Sequence, residues 1–185
     1  MAESEWLARI KADPSVFSEV FQQYYHPIFG YIFRRTANFD DAADIAAETF
    51  LNAFRHIQRF NYRGISIKVW LYRIATNEIN LYFRHRRKKN SFMSLQEAES
   101  TQILSHHLKD DRTVLEAELV RHQQFLTILS HLKKLPVNYQ EVLALRYFEG
   151  KDNREIGQIM GLKEGTIKSL LSRGLDKLRE KCNPI

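Results

Sequence analysis

The sequence predicts an all-α protein of two small helical domains joined by a linker. Glycine and proline, which interrupt helices, number only 7 and 4 among 185 residues. Apolar residues recur at steps of three and four along most of the chain, which is the spacing of helices that bury one face. One central stretch lacks this spacing. We therefore place a first domain at residues 1–90, a linker at 91–112 and a second domain at 113–185.

The first domain carries three helical patterns separated by short breaks. The first pattern is an apolar face of Phe17, Phe21, Tyr24, Ile28 and Ile32. An aspartate is a good N-cap for the second, and a glycine-containing loop at residues 60–66 precedes the third. The predicted bounds are Asp13 to about Arg35, Asp40 or Asp41 to about Ile57, and Ile67 to about Lys89.

The linker differs from both domains in its composition. Residues 91–112 are largely polar, lack a sustained period and carry 2 basic and 4 acidic side chains. Basic side chains outnumber acidic ones in both flanking domains, by 14 to 9 before the linker and by 12 to 9 after it. We expect this acidic segment to be ordered only in part, and only by a partner.

The second domain begins with two predicted helices. Leu115, Leu119 and Leu129 restore the helical spacing after the linker. Because proline is tolerated in the first turn of a helix, Leu135-Pro136 indicates the start of the next helix. The predicted bounds are Thr113–Leu132 and Leu135 to about Gly150.

A short helix and a long helix complete the second domain. Asp152 and Glu155 have the spacing of a capping box, which opens the short helix. Gly161 stands where a C-cap glycine would end it, and the last helix runs from about Glu164 to Lys181. A short helix, a three-residue turn and a longer helix are the parts of a helix-turn-helix.

The last helix has two chemically different faces. At 100° per residue, the apolar arc holds Ile167, Leu171, Leu175 and Leu178. The other arc holds Lys168, Ser169, Ser172 and Arg173. A small, basic, hydroxyl-bearing face suits base edges and phosphates in the DNA major groove. A solvated face of an amphipathic helix is the alternative, and the preceding capped helix and glycine turn favour DNA.

The second helix carries a stripe of three carboxylates: Asp41, Asp44 and Glu48 lie within about 60° of one another. An exposed acidic face is the simplest interpretation. Ile45 and Leu51 flank the stripe, however, and apolar residues that rim charged ones indicate a protein-binding surface. A catalytic or metal site is disfavoured because no Glu-x-x-His or His-x-x-x-His accompanies the carboxylates.

The third helix and the loop before it mix aromatic and basic side chains. They are Phe60, Tyr62, Arg63, Trp70, Tyr72, Arg73, Tyr82 and Phe83, followed by the basic run of residues 84–89. Rings beside cations can hold the bases and phosphates of a single strand. About half of the rings are expected to pack in the core instead, next to Leu71, Ile74 and Ala75. The basic run is either a phosphate-binding patch or a solvated helix end.

Composition and motifs argue against several classes of protein. The net charge of +6 and the pI near 9.4 are consistent with a polyanionic partner. No apolar run approaches the ~20 residues of a membrane-spanning helix, and the first residues lack a signal-peptide layout, so we expect a cytoplasmic protein without membrane insertion. Cys182, the single cysteine, cannot form an internal disulfide.

The sequence also predicts no metal, no cofactor and no catalytic residues. His122 and His131 are nine residues apart on a predicted helix and do not converge. No glycine-rich phosphate loop and no G-x-S-x-G motif is present. We therefore expect that the protein is not an enzyme.

Two groups of motifs resemble a known family. Asp40-Asp-Ala-Ala-Asp-Ile-Ala-Ala-Glu-Thr-Phe50, with Trp70-Leu-Tyr-Arg-Ile-Ala-Thr-Asn77 after the loop, resembles region 2 of bacterial RNA polymerase sigma factors. Leu135-Pro136, Glu155-Ile-Gly-Gln-Ile-Met-Gly161 and Glu164-Gly-Thr-Ile-Lys-Ser169 resemble region 4. The short length, with both regions joined directly, is similar to the extracytoplasmic-function (ECF) group.

The resemblance implies three binding surfaces. The core-polymerase surface would comprise Asp41, Asp44, Ile45, Glu48 and Leu51. The surface that melts and holds the −10 promoter element would comprise Asn61, Tyr62, Arg63, Ser66, Trp70, Tyr72, Arg73, Asn77, Asn80, Arg84, Arg86 and Arg87. The surface that reads the −35 element as duplex would comprise Thr166, Lys168, Ser169, Ser172 and Arg173.

The resemblance further implies a linker that threads through the polymerase, and an inhibitory partner, an anti-sigma factor. Three positions depart from the family pattern. Ile67 stands where phenylalanine is usual, Gly157 where alanine is usual, and Leu170 where the recognition helix often has a basic residue.

Two other classes of function stay open on the sequence. One is a stand-alone helix-turn-helix transcription regulator whose first domain is a sensor, which would bind duplex DNA without polymerase. The other is a phosphate-handling enzyme or an RNA-binding protein that uses the basic run of residues 84–89. Loss of polymerase binding on substitution of Asp44 and Glu48, with DNA binding by the second domain intact, would separate the sigma factor from the regulator.

Overall fold

The computed structural model of the protein describes residues 3–61, 64–92 and 130–182. Within these ranges the regular elements are helical and no strand occurs, which confirms the all-α prediction. Helices α1 to α7 span Glu3–Ala12, Phe17–Thr36, Phe39–His56, Ile67–Phe92, Val137–Leu143, Asn153–Met160 and Glu164–Cys182. The predicted linker, apart from its first two residues, and the predicted helix Thr113–Leu132, apart from its last three, lie outside the described residues.

The prediction that the first helix begins at Asp13 is wrong, because two helices meet there. The Asp13 side chain accepts a hydrogen bond from Ser15 N at 2.9 Å and caps a 3₁₀ turn, Pro14–Val16. Proline disfavours helical backbone in the residue before it, and Asp13 is extended. Helix α1 therefore ends before this residue, and α2 begins at Phe17.

The predicted N-cap of the second helix is also wrong. Asn38 caps α3, since its Oδ1 accepts a hydrogen bond from Asp41 N at 2.8 Å. Asp40 and Asp41 lie instead in the first turn, where carboxylates interact favourably with the positive end of the helix dipole. The predicted end is confirmed, because α3 passes into a 3₁₀ turn at Ile57–Arg59.

Helix α4 begins at Ile67, as predicted, and extends three residues past the predicted end. Its first turn is capped by side chains from outside the helix. Ile67 N donates to the carboxylate of Glu3 on α1, and Val69 N donates to Ser66 Oγ at 3.1 Å. These bonds satisfy amides that have no partner inside the helix.

The second domain confirms the predicted helix-turn-helix. Pro136 is the N-cap of α5, which continues as a π-helical turn over Ala144–Phe148. The capping box is complete: Glu155 N donates to Asp152 Oδ1 at 2.7 Å, and Asp152 N donates to Glu155 Oε2 at 3.1 Å. Gly161 ends α6 with a left-handed φ of 68°, and α7 begins three residues later.

The helices of each domain pack on one another, and the buried residues of the two domains join in one cluster. Helices α2, α3 and α4 pack around buried aromatic and aliphatic residues such as Phe29, Ala46 and Leu71. Helices α5, α6 and α7 enclose residues such as Leu145 and Ile167. Between the domains, α6 packs on α4 and the π-helical turn packs on α2. This contact decides which of the candidate surfaces are accessible.

Candidate nucleic-acid and protein interfaces

Helix α7 separates its two faces as the sequence predicts. Ile167 is fully buried, and Leu171, Leu175 and Leu178 pack on the core in partly buried positions. The predicted −35 side chains, Thr166, Lys168, Ser169, Ser172 and Arg173, are all exposed. Lys168 Nζ lies 3.2 Å from the carboxylate of Glu164, one turn earlier, and both remain largely solvated. A basic, hydroxyl-rich face is thus exposed on α7.

Gly157 explains how the short helix approaches the recognition helix so closely. A Cβ at this position would lie 2.7 Å from the backbone oxygen of Leu162, a distance that side chains do not reach. The amide of Leu162 also donates to Gly157 O at 2.9 Å, which closes the turn. The departure from the alanine usual in the resembled family therefore has a steric cause in this chain.

The predicted acidic stripe on α3 is partly solvated and partly paired. Asp44 and Glu48 are exposed. Asp41 accepts a hydrogen bond from Tyr82 Oη at 2.6 Å and lies 3.8 Å from Arg86. The pKa of Tyr82 is raised to about 12, chiefly by burial and then by this hydrogen bond from its hydroxyl to a carboxylate.

Apolar side chains on α3 and the neighbouring α2 differ in exposure. Ile45 is buried beneath the stripe, whereas Leu51 is exposed. Phe21 and Phe54, which sequence reasoning did not single out as exposed, are 43% and 45% exposed. Charge next to exposed apolar side chains is a composition suited to a protein partner.

The structure gathers five of the predicted −10 side chains on one stripe of α4. Trp70, Arg73, Asn77, Asn80 and Arg84 fall within an arc of about 80°. Four of them are exposed, and Trp70 is half-buried because it stacks on Phe60 with 4.5 Å between ring centroids. Asn61, at the entrance of the loop, accepts a hydrogen bond from Lys11 Nζ at 3.3 Å. Tyr62 and Arg63, and the side chain of Arg87, lie outside the described part of the chain.

Two predicted −10 residues lie away from this stripe. Arg86 turns toward α3 and donates to Tyr82 Oη at 2.6 Å. Tyr72 is 2% exposed, and its hydroxyl donates to Glu149 Oε2 of the second domain at 2.7 Å. Burial, and then the charge of Glu149, raise the pKa of Tyr72 above its ordinary value. The sequence held a signal for this, since Tyr72 lies about 120° from the middle of the stripe.

Helix α1 is a feature that sequence reasoning missed. It holds both ends of the predicted −10 loop, with Glu3 bonded to Ile67 N at one end and Lys11 bonded to Asn61 at the other. The signal was present in the spacing of Leu7 and Ile10, which are both buried. Helix α1 therefore contacts the residues on both sides of the loop.

The described ranges contain neither a metal-binding cluster nor a membrane-spanning helix. Residues 3–61, 64–92 and 130–182 hold no group of three or more His, Cys, Asp or Glu side chains arranged to bind a metal ion. None of the helices in these ranges is both long enough and apolar enough to cross a bilayer.

Comparison with known proteins separates the open interpretations. The family model for sigma-70 region 2 matches residues 20–89, and that for sigma-70 region 4 matches residues 125–178. The ECF RNA polymerase sigma factor SigW of Bacillus subtilis is 31% identical over 177 residues, which cover 95% of this chain and 93% of SigW. This chain belongs to the ECF sigma factors. The resemblance predicted from the motifs is confirmed.

The ECF sigma factor described here directs transcription initiation at promoters, as its family does. A second relative, the RNA polymerase sigma-H factor of Pseudomonas aeruginosa, is 31% identical over 178 residues, which cover 95% of this chain and 90% of that protein. The stand-alone regulator and the phosphate-handling enzyme are thereby disfavoured.

Two solved structures share the fold across nearly the whole chain. CnrH, solved in complex with the cytosolic domain of CnrY, has a TM-score of 0.69 at 17% identity, and the match covers 98% of this chain and 97% of that chain. The sigma factor RpoE of Bartonella quintana, solved with the anti-sigma factor NepR, has a TM-score of 0.64 at 22% identity, with 89% and 94% covered.

Proposed function

We propose that this sigma factor divides its work among three surfaces on two domains, residues 1–90 and 113–185, with the linker at 91–112 between them. The observation that carries the proposal is that one chain exposes two chemically different polar faces, one on α4 and one on α7. The α4 stripe offers a ring, followed by two amides between two arginines, whereas α7 offers lysine, arginine and hydroxyls. The first suits unstacked bases and the second suits duplex edges.

The −35 element is read by α7. Thr166, Lys168, Ser169, Ser172 and Arg173 enter the major groove. Duplex recognition of this kind needs a helix backed by a rigid support, and the packing of Gly157 against Leu162 supplies one. Phosphate contacts from the basic side chains set the register, and base contacts provide specificity.

The −10 element is melted and held by α4 and the loop before it. Trp70, Arg73, Asn77, Asn80 and Arg84 form the wall of this site, and Asn61 and Ser66, from the loop before α4, take part in holding the strand. A half-buried tryptophan stacked on Phe60 is a rigid platform for an unpaired base. The chain contributes binding energy only, and the polymerase performs the chemistry.

The core polymerase docks on α3. Asp44, Glu48 and Leu51 make direct contacts, Asp41 contributes through its solvated edge, and Ile45 supports the surface from the core. Charged residues around an apolar centre steer association and then exclude water. The site of action is the cytoplasm, where polymerase and promoter DNA are found.

An anti-sigma factor is a further proposed partner. Support comes from RpoE of Bartonella quintana, which was solved with the anti-sigma factor NepR. Such a partner, added in excess, should abolish transcription that depends on this chain and leave transcription by a different sigma factor unchanged.

Run-off transcription with sigma-free bacterial core polymerase and source-genome DNA tests the division of work. Transcripts that share upstream hexamers and appear only with the purified chain are expected. No new transcripts and no polymerase binding, together with sequence-specific binding to free duplex, would instead indicate a stand-alone regulator.

A double substitution tests the polymerase surface. Asp44→Ala with Glu48→Ala should weaken core binding at least tenfold and leave binding of −35 duplex by the second domain unchanged. Asp176→Ala with Glu180→Ala makes the same change in net charge at exposed positions of α7 and is the matched control. Equal core affinities for the two double variants would move the polymerase surface away from α3.

A further inference from the structure

A buried polar cluster joins the two domains. Arg35 of α2 and Glu141 of α5 are each 1% exposed, and their Nη2 and Oε2 atoms lie 3.1 Å apart. Arg35 Nη1 donates to Gln140 Oε1 at 2.6 Å, and Thr76 Oγ1 donates to Glu141 Oε1 at 3.2 Å. The hydroxyl of Tyr31 completes the chain of bonds, 3.0 Å from Thr76 Oγ1. Each domain thus supplies groups that the other leaves unsatisfied.

Burial of this cluster is costly for either domain without the other. Desolvation raises the pKa of Glu141 and lowers the pKa of Arg35, because burial disfavours both charges. The opposite charge 3.1 Å away and the hydrogen bonds offset this cost only while the domains remain in contact. The contact is therefore specific, and it is sensitive to the loss of any one partner.

A second contact extends the same interface. Glu149 Oε1 accepts from Arg34 Nη2 at 2.9 Å, and Glu149 Oε2 accepts from Tyr72 Oη at 2.7 Å. Lys151 Nζ lies 4.4 Å from the centroid of the Tyr72 ring. One ring of the proposed −10 surface is covered by the second domain through these bonds.

The interface also reaches the proposed −10 loop. Gln158 of α6 donates to Gly64 O at 3.3 Å, so the short helix of the helix-turn-helix contacts the loop directly. In contrast, Lys168 and Arg173 on α7 and Asp44 on α3 remain exposed. The closed arrangement leaves the −35 and polymerase surfaces accessible and restricts the −10 surface.

The closed arrangement is too short to contact both promoter elements at once. Elements named −10 and −35 are about 25 base pairs apart, which is about 85 Å of straight duplex at 3.4 Å per step. A compact chain of this length has a radius of gyration of about 16 Å and is about 40 Å across. The domains must therefore separate before both elements are bound.

From these contacts we propose that the free sigma factor is autoinhibited by its own domain interface, and that the Arg35–Glu141 cluster and the Glu149 contacts with Arg34 and Tyr72 are the latch. Opening the latch exposes Tyr72 and frees the loop at Gly64 for the melted strand. Polymerase docking on α3 does not require an open latch, so recruitment can precede opening. This inference rests on the proposed −10 role of α4 and its loop.

The latch lowers the apparent affinity of the free chain for single-stranded −10 DNA. When only a fraction of molecules is open, the apparent dissociation constant rises by the inverse of that fraction. Removing one partner of a buried ion pair leaves the other unpaired in the closed form only, because both are solvated once the domains separate. Latch substitutions should therefore favour the open form.

The test compares full-length wild type with Glu141→Ala combined with Glu149→Ala. Small-angle X-ray scattering of the free chain should give a larger radius of gyration for the variant. The variant should also bind at least tenfold more tightly to a fluorescent single-stranded oligonucleotide that carries the non-template −10 sequence identified by run-off transcription. Asp176→Ala with Glu180→Ala makes the same change in net charge at exposed positions of α7, where Asp176 pairs with Arg179, and should match wild type in both assays.

The outcomes separate the latch from the proposed function. Equal radii of gyration for wild type and the latch variant would overturn the inference, whatever the DNA results. A larger radius of gyration without tighter binding of the single strand would show that the domain interface exists but does not mask the −10 surface. That result would also overturn the inference. Absence of promoter-specific run-off with wild type would instead contradict the proposed function. Glu149→Ala alone is the second variant if the double variant does not fold.

Discussion

At the scale of single residues, one missing methyl group sets the geometry of the helix-turn-helix. The backbone oxygen of Leu162 occupies the space where a Cβ of residue 157 would lie. Sequence comparison alone marks Gly157 as a departure from the family pattern and gives no reason for it. The reason is that the turn after α6 brings the backbone close to residue 157. Glycine is common where two stretches of backbone approach each other closely.

Gly157→Ala should therefore destabilise the second domain. The added methyl group would meet a backbone atom, and overpacking of this kind costs about 1–3 kcal/mol. Chemical denaturation followed by circular dichroism measures the change in the free energy of unfolding. Gly165→Ala is the matched control, because nothing lies within 4 Å of its added Cβ. Replacing glycine by alanine inside a helix is expected to stabilise the protein by about 0.5–1 kcal/mol. Equal effects of Gly157→Ala and Gly165→Ala on the free energy of unfolding would therefore contradict the steric account.

At the scale of helices, the spacing of apolar residues predicted those features of the fold that depend on local sequence. The bounds of α4 and α7, the capping box at Asp152 and the two faces of α7 follow from spacing and cap chemistry. The predicted starts of two helices were wrong, because more than one nearby residue could cap each helix. Asp13 serves a 3₁₀ turn between two helices, and Asn38 precedes the aspartates that were predicted to cap α3.

The missed parts of the candidate site depend on contacts between distant residues. Glu3 caps α4 from 64 positions away in the chain, and Arg35 meets Glu141 across 106 positions. No local period encodes such pairs, so neither the support of the loop by α1 nor the burial of Tyr72 by Glu149 could be derived from pairing rules. Only the angle of Tyr72 on the helical wheel indicated that this side chain lies away from the stripe.

The α4 stripe leads to a prediction about promoter melting. Asn77→Ala should reduce permanganate reactivity of thymines in the −10 element and leave binding to closed duplex nearly unchanged, because the amide is placed to contact unpaired bases. Asn138→Ala removes an exposed amide from α5 and is the matched control. An unaltered open complex with Asn77→Ala would exclude this amide from the −10 site.

The exposed face of α7 leads to a prediction about −35 specificity. Lys168→Ala should weaken use of promoters that depend on the −35 element by about 1–3 kcal/mol if its ammonium contacts a base. Lys177→Ala makes the same charge change at an exposed position about 180° away on the helix and should have little effect on promoter choice. Competitive transcription from promoters with intact and mutated −35 elements measures the difference, and unchanged preference would argue against this face.

At the scale of the whole molecule, the domain interface couples the stability of the two domains. The buried apolar residues of the two domains form one continuous cluster, and the polar cluster around Arg35 lies where the domains meet. Such a cluster adds little net stability when it is intact, because its desolvation cost is large. Its effect is on the arrangement of the domains, which determines whether the −10 surface is available.

Arg35→Ala should uncouple the domains. In the closed form it leaves Glu141 buried without its cation, a loss of about 3–5 kcal/mol, and the molecule avoids that cost by separating its domains. Scanning calorimetry should therefore show one unfolding transition for wild type and two for the variant, one for each domain. Arg9→Ala disrupts the solvated ion pair with Glu19, in which both side chains are more than 40% exposed, and should keep a single transition with a change of at most about 1 kcal/mol. A single transition at a lower temperature for Arg35→Ala would show that the domains unfold as one unit. In that case Arg35 would stabilise a core that both domains share.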